Sequence, residues 1–270
     1  MCLILLALNV VPQRPWLLLG NRDEFHLRPT AAAAHWDEAP DVIGGRDLEA
    51  GGSWLALNRN GRFAAITNVR SAQSRRGLRS RGDLVGAFVR GDADVARYAS
   101  ATATERDQYG PFNLVIGERT GSAAASSLRS SAWPLGDGVH ILSNGAPGVD
   151  WPKVRRLRER FAECLARFDA TDEFKSAKGE TASANAFAAA LDPALLDLLQ
   201  DTTAPADDDL PHTGVGIELE RMLAPIFIRG ADYGTRASTL AYARSDGGVV
   251  LHERRFGAGG VPSGETRIET

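Results

Sequence analysis

Residues 2–25 read CLILLALNVVPQRPWLLLGNRDEF. Two apolar runs, residues 2–10 and 15–20, flank the short link Val11-Pro12-Gln13-Arg14. That pattern reads as a β-hairpin. With Val10 facing Pro15, Cys2 falls opposite Asp23 and Leu3 opposite Arg22, so Asn21-Arg22-Asp23-Glu24 is delivered beside the start of the chain. Both runs are apolar on both faces rather than alternating, which implies a sheet covered on both sides. The stretch does not read as a signal peptide, because it lacks a basic leading region and a small-residue cleavage site.

Cys2 carries the chemistry of this stretch. Loss of Met1 leaves one residue bearing both a thiol and an α-amine. The thiolate is the nucleophile, and the amine, titrating near ~7.7–8.0, suits a general base at neutral pH. Arg22 would favour the thiolate and meet a substrate carboxylate, and Asp23 would hold the amine. The plainer alternatives are a small hydrophobe in a strand and a charged strand-end turn with a surface ion pair.

Working outward, residues 25–52 read as a loop, with Pro29, Pro40 and two glycine pairs. Residues 53–58 and 62–68 flank Asn60-Gly61, a strong hairpin signal. With Arg59 facing Arg62, Ser53 falls opposite Asn68. Helical spacing marks residues 81–89, 94–101, 152–168, 183–191 and 193–199. Residues 112–118, 139–143, 225–228, 235–243 and 249–255 read as strands. Strands, then helices, then strands again indicate an α+β protein of stacked layers.

Composition bounds the function classes. The 270 residues carry a net charge of −3 and are 43% hydrophobic, an ordinary globular balance. With no linker or repeat in view, one domain over residues 1–270 is expected. The charge argues against nucleic acid, and no stretch is long and apolar enough for stable membrane insertion. Two cysteines make no disulfide framework, and no Cys/His cluster has metal-ligand spacing. A reducing, cytoplasmic setting is expected. Cys164 shares an apolar helical face with Val154, Leu157 and Phe161 and reads as core. Two basic runs, Arg70 to Arg81 and Lys153 to Arg160, read mostly as solvated faces. Within the first, Arg75 and Arg76 are candidates for an anionic ligand. His26, just past the charged segment, is a candidate ligand or acid–base group.

Four segments together resemble the NRDE proteins, also called the transport and Golgi organisation protein 2 family: Cys2, Asn21-Arg22-Asp23-Glu24, Leu142-Ser143-Asn144-Gly145 and Tyr233-Gly234-Thr235-Arg236. Supporting stretches include Gly45-Arg46-Asp47, Gly51-Gly52-Ser53-Trp54 and Trp151-Pro152-Lys153-Val154. The resemblance implies the four-layer αββα sandwich of N-terminal-nucleophile hydrolases, in an arrangement similar to the bile salt hydrolase and penicillin V acylase group. It implies Cys2 as nucleophile with Arg22 and Asp23 beside it. It implies Asn144 as side-chain donor to an oxyanion hole, Asn68 as the backbone donor that completes it, and Arg236 near the nucleophile. In the acylase group the arginine and aspartate are separated by other residues; here they are adjacent, which leaves the role of Asp23 open.

Two functions follow as expectations. One is an amidohydrolase acting on a small, non-peptide, anionic amide through a Cys2 acyl-enzyme, with no cofactor required. The other, implied by the resemblance, is a carrier for haem or acyl-CoA and lipid-type anions in the same cleft, with haem as a bound ligand.

Overall fold

The computed structural model describes residues 2–73, 76–169 and 181–270, and the side chains of all of these except 169 and 181–186. The first half runs β1 (Cys2–Val11), β2 (Arg14–Phe25), β3 (Thr30–Trp36), β4 (Ala39–Asp47), β5 (Leu55–Asn58), β6 (Phe63–Asn68), α1 (Arg81–Arg90) and α2 (Val95–Thr104). Then come β7 (Phe112–Glu118), β8 (Gly121–Ser126), β9 (Trp133–Leu135), β10 (Gly138–Leu142), α3 (Pro152–Asp169) and α4 (Thr181–Leu198). The chain closes with the short α5 (Ile217–Met222), β11 (Tyr233–Ala243), β12 (Val249–Phe256) and β13 (Pro262–Glu269).

Among the described residues the strands form two antiparallel sheets. The first has the order β10-β1-β2-β11-β12-β13; the second is a meander from β3 to β9. The sheets pack face to face: Trp16 of β2 lies on Phe63 of β6 with ring centroids 4.6 Å apart. Gly20 of β2 lies against the Trp54 ring, where a Cβ would come within 3.1 Å. Helices α3 and α4 cover the outer face of the first sheet, burying Leu157, Phe161, Leu191 and Leu195. Helices α1 and α2 cover the second, burying Val85, Phe88 and Ala99. The layer order is αββα, as expected, and Cys164 is core.

Five details differ from the sequence reading. The first hairpin pairs Val11 with Arg14 at its turn, but a bulge between Leu8 and Val11 shifts the register, so Cys2 lies opposite Arg22 and Leu3 opposite Asn21. Asn9 absorbs the extra residue with φ of 53°; Asn tolerates this left-handed region better than most side chains. The second hairpin is also one residue off: Leu55 pairs with Ala65. Its loop is three residues long, with Gly61 at φ of 84°, rather than a two-residue turn centred on Asn60-Gly61. The segment 25–52 holds a hairpin, β3–β4, despite its alanines and glycines. Gly44 is needed there because a Cβ would stand 2.8 Å from the Leu55 carbonyl oxygen on the neighbouring strand. Residues 225–228 are not a strand; Ile228 is held through its N–H on Thr235 Oγ1 at 2.9 Å. The two helices read at 183–191 and 193–199 are one, α4, with Pro193 inside it.

An ion pair locks α4 to the first sheet. Arg14 and Asp192 are 4% and 1% exposed and 2.7 Å apart. Asp192 also accepts from Tyr242 Oη at 2.9 Å and Arg267 Nη1 at 3.0 Å. The Asp192→Ala variant leaves a buried guanidinium without its carboxylate, and it is expected to lose about 3–5 kcal/mol of stability by urea unfolding.

Candidate active site

The β1–β2 register brings the expected nucleophile to a wall of charge. Directly opposed residues share a face, so Cys2 stands beside Arg22 at the floor of a cleft of about 1530 Å³. Cys2 is buried, and burial pushes its thiol pKa up; the carboxylates of Asp23 and Glu24 push the same way, against the pull of Arg22. The expected bias toward thiolate is therefore opposed by the fold itself. Arg22 Nη2 lies 3.3 Å from Asp47 Oδ2 and 4.0 Å from Glu24 Oε2. Asp47 also takes Arg28 Nε at 2.7 Å, making a charged cluster of β2 and β4.

Asp23 lies on the opposite face of β2 from Arg22 and is buried. Its Oδ1 accepts from Thr235 Oγ1 at 2.7 Å, and its carbonyl accepts from Tyr233 Oη at 3.1 Å. Burial pushes its pKa up, while Lys153, the Thr235 hydroxyl and Arg70 pull it down.

The second sheet supplies the facing wall. Asn68 ends β6 and lines the cleft. N–H groups alternate in direction along a strand. Ile66 N–H is taken by the Trp54 carbonyl and Val69 N–H by Pro111, so the Asn68 N–H points to the β5 side, beyond the last paired residue of β5. Asn144 is fully buried behind it, not on the cleft surface, and donates Nδ2 to the Asn68 carbonyl at 2.9 Å. An amide nitrogen has two hydrogens, and this bond uses one. The clasp is tightened by Thr67 Oγ1 on the Ser143 carbonyl at 2.7 Å and by Asn113 Nδ2 on the Ser143 and Gly145 carbonyls.

Arg236 is the extra residue of a second bulge, between Thr235 and Ala237 of β11. It lines the cleft and donates Nη1 to the carbonyls of Phe25 and Arg28. Burial and the neighbouring Arg22 both lower its pKa. Arg81, the first residue of α1, also lines the cleft and donates Nη1 to the Pro111 carbonyl at 3.1 Å. Among the described residues, neither Arg81 nor Arg236 has a carboxylate within ion-pair distance. The α1 start is pressed onto the cleft wall: a Cβ on Gly52 would stand 2.5 Å from the Gly82 carbonyl carbon. The mouth carries exposed apolar side chains, among them Leu27, Leu78, Leu219 and Met222.

Of the remaining expected residues, Arg76 is exposed and lines the cleft, whereas Arg75 lies outside the described residues. His26 is not on the cleft lining; its Nε2 sits 3.2 Å from the Gly230 carbonyl in a turn, which is a structural placement. Among the described residues no cluster of His, Cys, Asp and Glu is arranged to hold a metal ion, and no helix is long and apolar enough to cross a membrane.

The sequence pattern described as "Transport and Golgi organisation 2" matches residues 1–258. The chain belongs to this family. The Bos taurus Transport and Golgi organization protein 2 homolog is 30% identical, over 94% of this chain and 90% of that protein. The Homo sapiens homolog is 29% identical, over 93% and 90%. Among solved structures, the chain is similar to a Caenorhabditis elegans N-acylethanolamine-hydrolyzing acid amidase ortholog, at 11% identity over 89% and 92% of the two chains with a TM-score of 0.48. It is also similar to a mutant conjugated bile acid hydrolase from Clostridium perfringens, at 11% identity over 100% and 92% with a TM-score of 0.44.

Cys2, Arg22, Asn68 and Arg236 meet at one cleft, with Asn144 immediately behind Asn68; Asp23 borders the cleft but turns its carboxylate to the other face of β2, onto Thr235. The sequence reading missed Asp47 and Arg28, which fix Arg22, and missed that Lys153 and Arg70 are buried rather than solvated. The Gly45-Arg46-Asp47 stretch was the one available signal for Asp47. Burial alone would raise the Asp47 pKa, but hydrogen bonds from Arg28 and the Ala50 N–H, with the charges of Arg28 and Arg22, lower it overall. A depressed carboxylate contributes stability above its unfolded pKa of about 3.9 and loses it as pH falls through the folded value. Asp47→Asn is thus expected to lower stability at pH 7 and to flatten the fall in melting temperature below about pH 4.

Proposed function

We propose that this protein is an N-terminal-cysteine amidohydrolase of a small non-peptide amide, with Cys2 as nucleophile. The observation that carries the reading is the convergence of Cys2 on the floor of the cleft with Asn68 on its facing wall and Asn144 held directly behind Asn68. With Met1 removed, the Cys2 α-amine takes the thiol proton, and the sulfur forms a bond to the amide carbonyl carbon. The oxyanion meets the Asn68 N–H and the second N–H of Asn144, neutral donors fixed in advance by the 67–70 and 143–145 clasp. The C–N bond then breaks, and the leaving amine takes the proton from the α-ammonium. Water, losing a proton to the α-amine, attacks the thioester, releasing a carboxylic acid and restoring the thiol. Asp23 holds the α-amine from the far face of the strand. Arg81 and Arg236 meet an anionic part of the substrate, since neither is neutralised by a carboxylate among the described residues. The reading takes the cytoplasm, where thiols stay reduced, as the setting.

A second reading is a carrier for haem or acyl-CoA and lipid-type anions. Two observations favour it: the cleft is larger than most small-molecule pockets, and its apolar mouth stands over Arg81 and Arg236, which have no carboxylate partner among the described residues.

The test is intact mass together with turnover. On the hydrolase reading the isolated protein lacks Met1, iodoacetamide adds one group at Cys2, and acyl p-nitroanilides of graded chain length are hydrolysed. Cys2→Ala abolishes that hydrolysis, and Asn144→Ala lowers kcat by roughly 10²–10³-fold. Retained Met1 with no hydrolysis, and saturable haem binding that survives Cys2→Ala, would overturn it in favour of the carrier.

A further inference from the structure

The cleft has a second polar end, away from the charges around Cys2. Glu253 of β12 lines it and is 4% exposed. Its Oε1 accepts from the Ala33 N–H at 2.9 Å and from Arg255 Nη1 at 3.1 Å. The Ala33 N–H is free to do so because the β3–β4 register shifts between Ala31 and Ala34. One carboxylate oxygen thus ties β12 to β3 across the gap between the sheets. Among the described residues nothing donates to the other, Oε2. It stands beside Gly45 of the cleft lining, where a Cβ would come within 3.4 Å of it. The missing side chain leaves that space open.

Thr239 of β11 lies directly opposite Glu253 and shares its face of the sheet. It is 2% exposed, and its Oγ1 has no hydrogen-bond partner. Its neighbour on the other strand is Gly20, which lies against the Trp54 ring. Burying a hydroxyl without a partner is unfavourable, and a valine of the same shape would avoid it. Holding β3 requires only Oε1 of Glu253. Two polar atoms that the fold does not use therefore sit side by side. Arg255 already balances the charge of Glu253, so an ammonium placed there would lack a counter-charge. A ligand hydroxyl suits both atoms, giving its hydrogen to Oε2 and accepting from the Thr239 hydroxyl.

We infer that Glu253 and Thr239 form a hydroxyl-recognition subsite, and that the ligand of this cleft is a long molecule with one end at Cys2 and a hydroxyl at the other. Cys2, Arg22, Ala237 and Arg255 make one row across β1, β2, β11 and β12. Three strand spacings of about 4.8 Å, and two residues along β12 at about 3.3 Å each, put Glu253 about 16 Å from Cys2. An extended chain advances about 1.2 Å per bond, so about a dozen carbons span the interval. The inference rests on reading the cleft as a ligand site with Cys2 at one end, but not on turnover.

The test is tryptophan-fluorescence titration of the full chain with lauric acid and with ω-hydroxylauric acid, Trp54 being part of the cleft wall. The parent protein binds the hydroxy acid at least about tenfold more tightly, because a site built for a hydroxyl leaves its own polar groups unpaired without one. Thr239→Val brings the ratio of the two Kd values close to one while keeping or raising the melting temperature, which a structural role for the hydroxyl would lower. In Glu253→Gln the amide oxygen stays with Ala33 and Arg255, so an NH2 replaces the free acceptor and the ratio falls. If Glu253→Gln does not fold, Thr239→Val decides the matter. Equal Kd values in the parent, binding of neither acid, or a preference that persists in Thr239→Val overturns the inference. Lauroyl and ω-hydroxylauroyl p-nitroanilides separate it from the proposed reaction. No hydrolysis with the binding preference intact overturns the reaction alone, and hydrolysis of both at equal kcat/KM overturns the subsite alone.

Discussion

Strand β2 is buried on both faces from Trp16 to Asp23, and this double burial is the constraint on which the site depends. Slipping a strand by one residue moves each side chain to the other face. Here a slip would exchange Arg22 and Asp23 between the cleft and the helix layer, putting a carboxylate beside the thiol and a guanidinium under α3. The packing of Leu17, Leu18 and Leu19 between Phe63 and α4 forbids it. The two bulges, in β1 and in β11, then act against that fixed reference. The first sets Cys2 against Arg22; the second frees Arg236 from pairing and lets it reach the cleft.

Much of this was legible in the chain. Apolarity on both faces of residues 2–20 announced a covered central hairpin, and the Asn-Arg-Asp-Glu segment at its end announced where charge would gather. Helices α1, α2 and α3 stood out because their apolar residues recur at helical spacing. The register did not stand out. A bulge costs one residue and leaves hydrophobic alternation intact on either side, so an apolar run gives no mark of where it lies. The hairpin β3–β4 was hidden because alanine and glycine have little strand preference; its pairing comes from tertiary contact with β5.

The cations show a different kind of blindness. Arg70, Arg76, Arg79 and Arg81 look alike in sequence, as do Lys153, Arg155 and Arg158. In the fold Arg79 pairs with Glu105 at the surface, Arg70 is buried against Glu220, and Arg81 turns into the cleft. Within α3, Lys153 faces the sheet, while Arg155 and Arg158 reach Asp150 in solvent. What separates them is position on a helix face and where the fold places carboxylates, Glu105 standing 26 residues from Arg79 and Glu220 150 residues from Arg70, which composition cannot reveal. Asn113 is similar: as an isolated asparagine in a strand it carries no signal, yet it joins β7 to the carbonyls that shape the Asn144 turn.

The contact between Gly52 and Gly82 divides the cleft into parts that differ in how freely they can change over generations. With two backbones touching and no room for a Cβ on Gly52, the arginine-bearing entry to α1 is anchored to the same wall that carries Trp54. Leu27, Leu78, Leu219 and Met222 are exposed around the mouth. Drift at those four positions can alter what the cleft admits while the charged floor stays as it is. A lineage carrying this fold can therefore diversify its ligands from the rim inward, with the chemistry of its first residues left undisturbed.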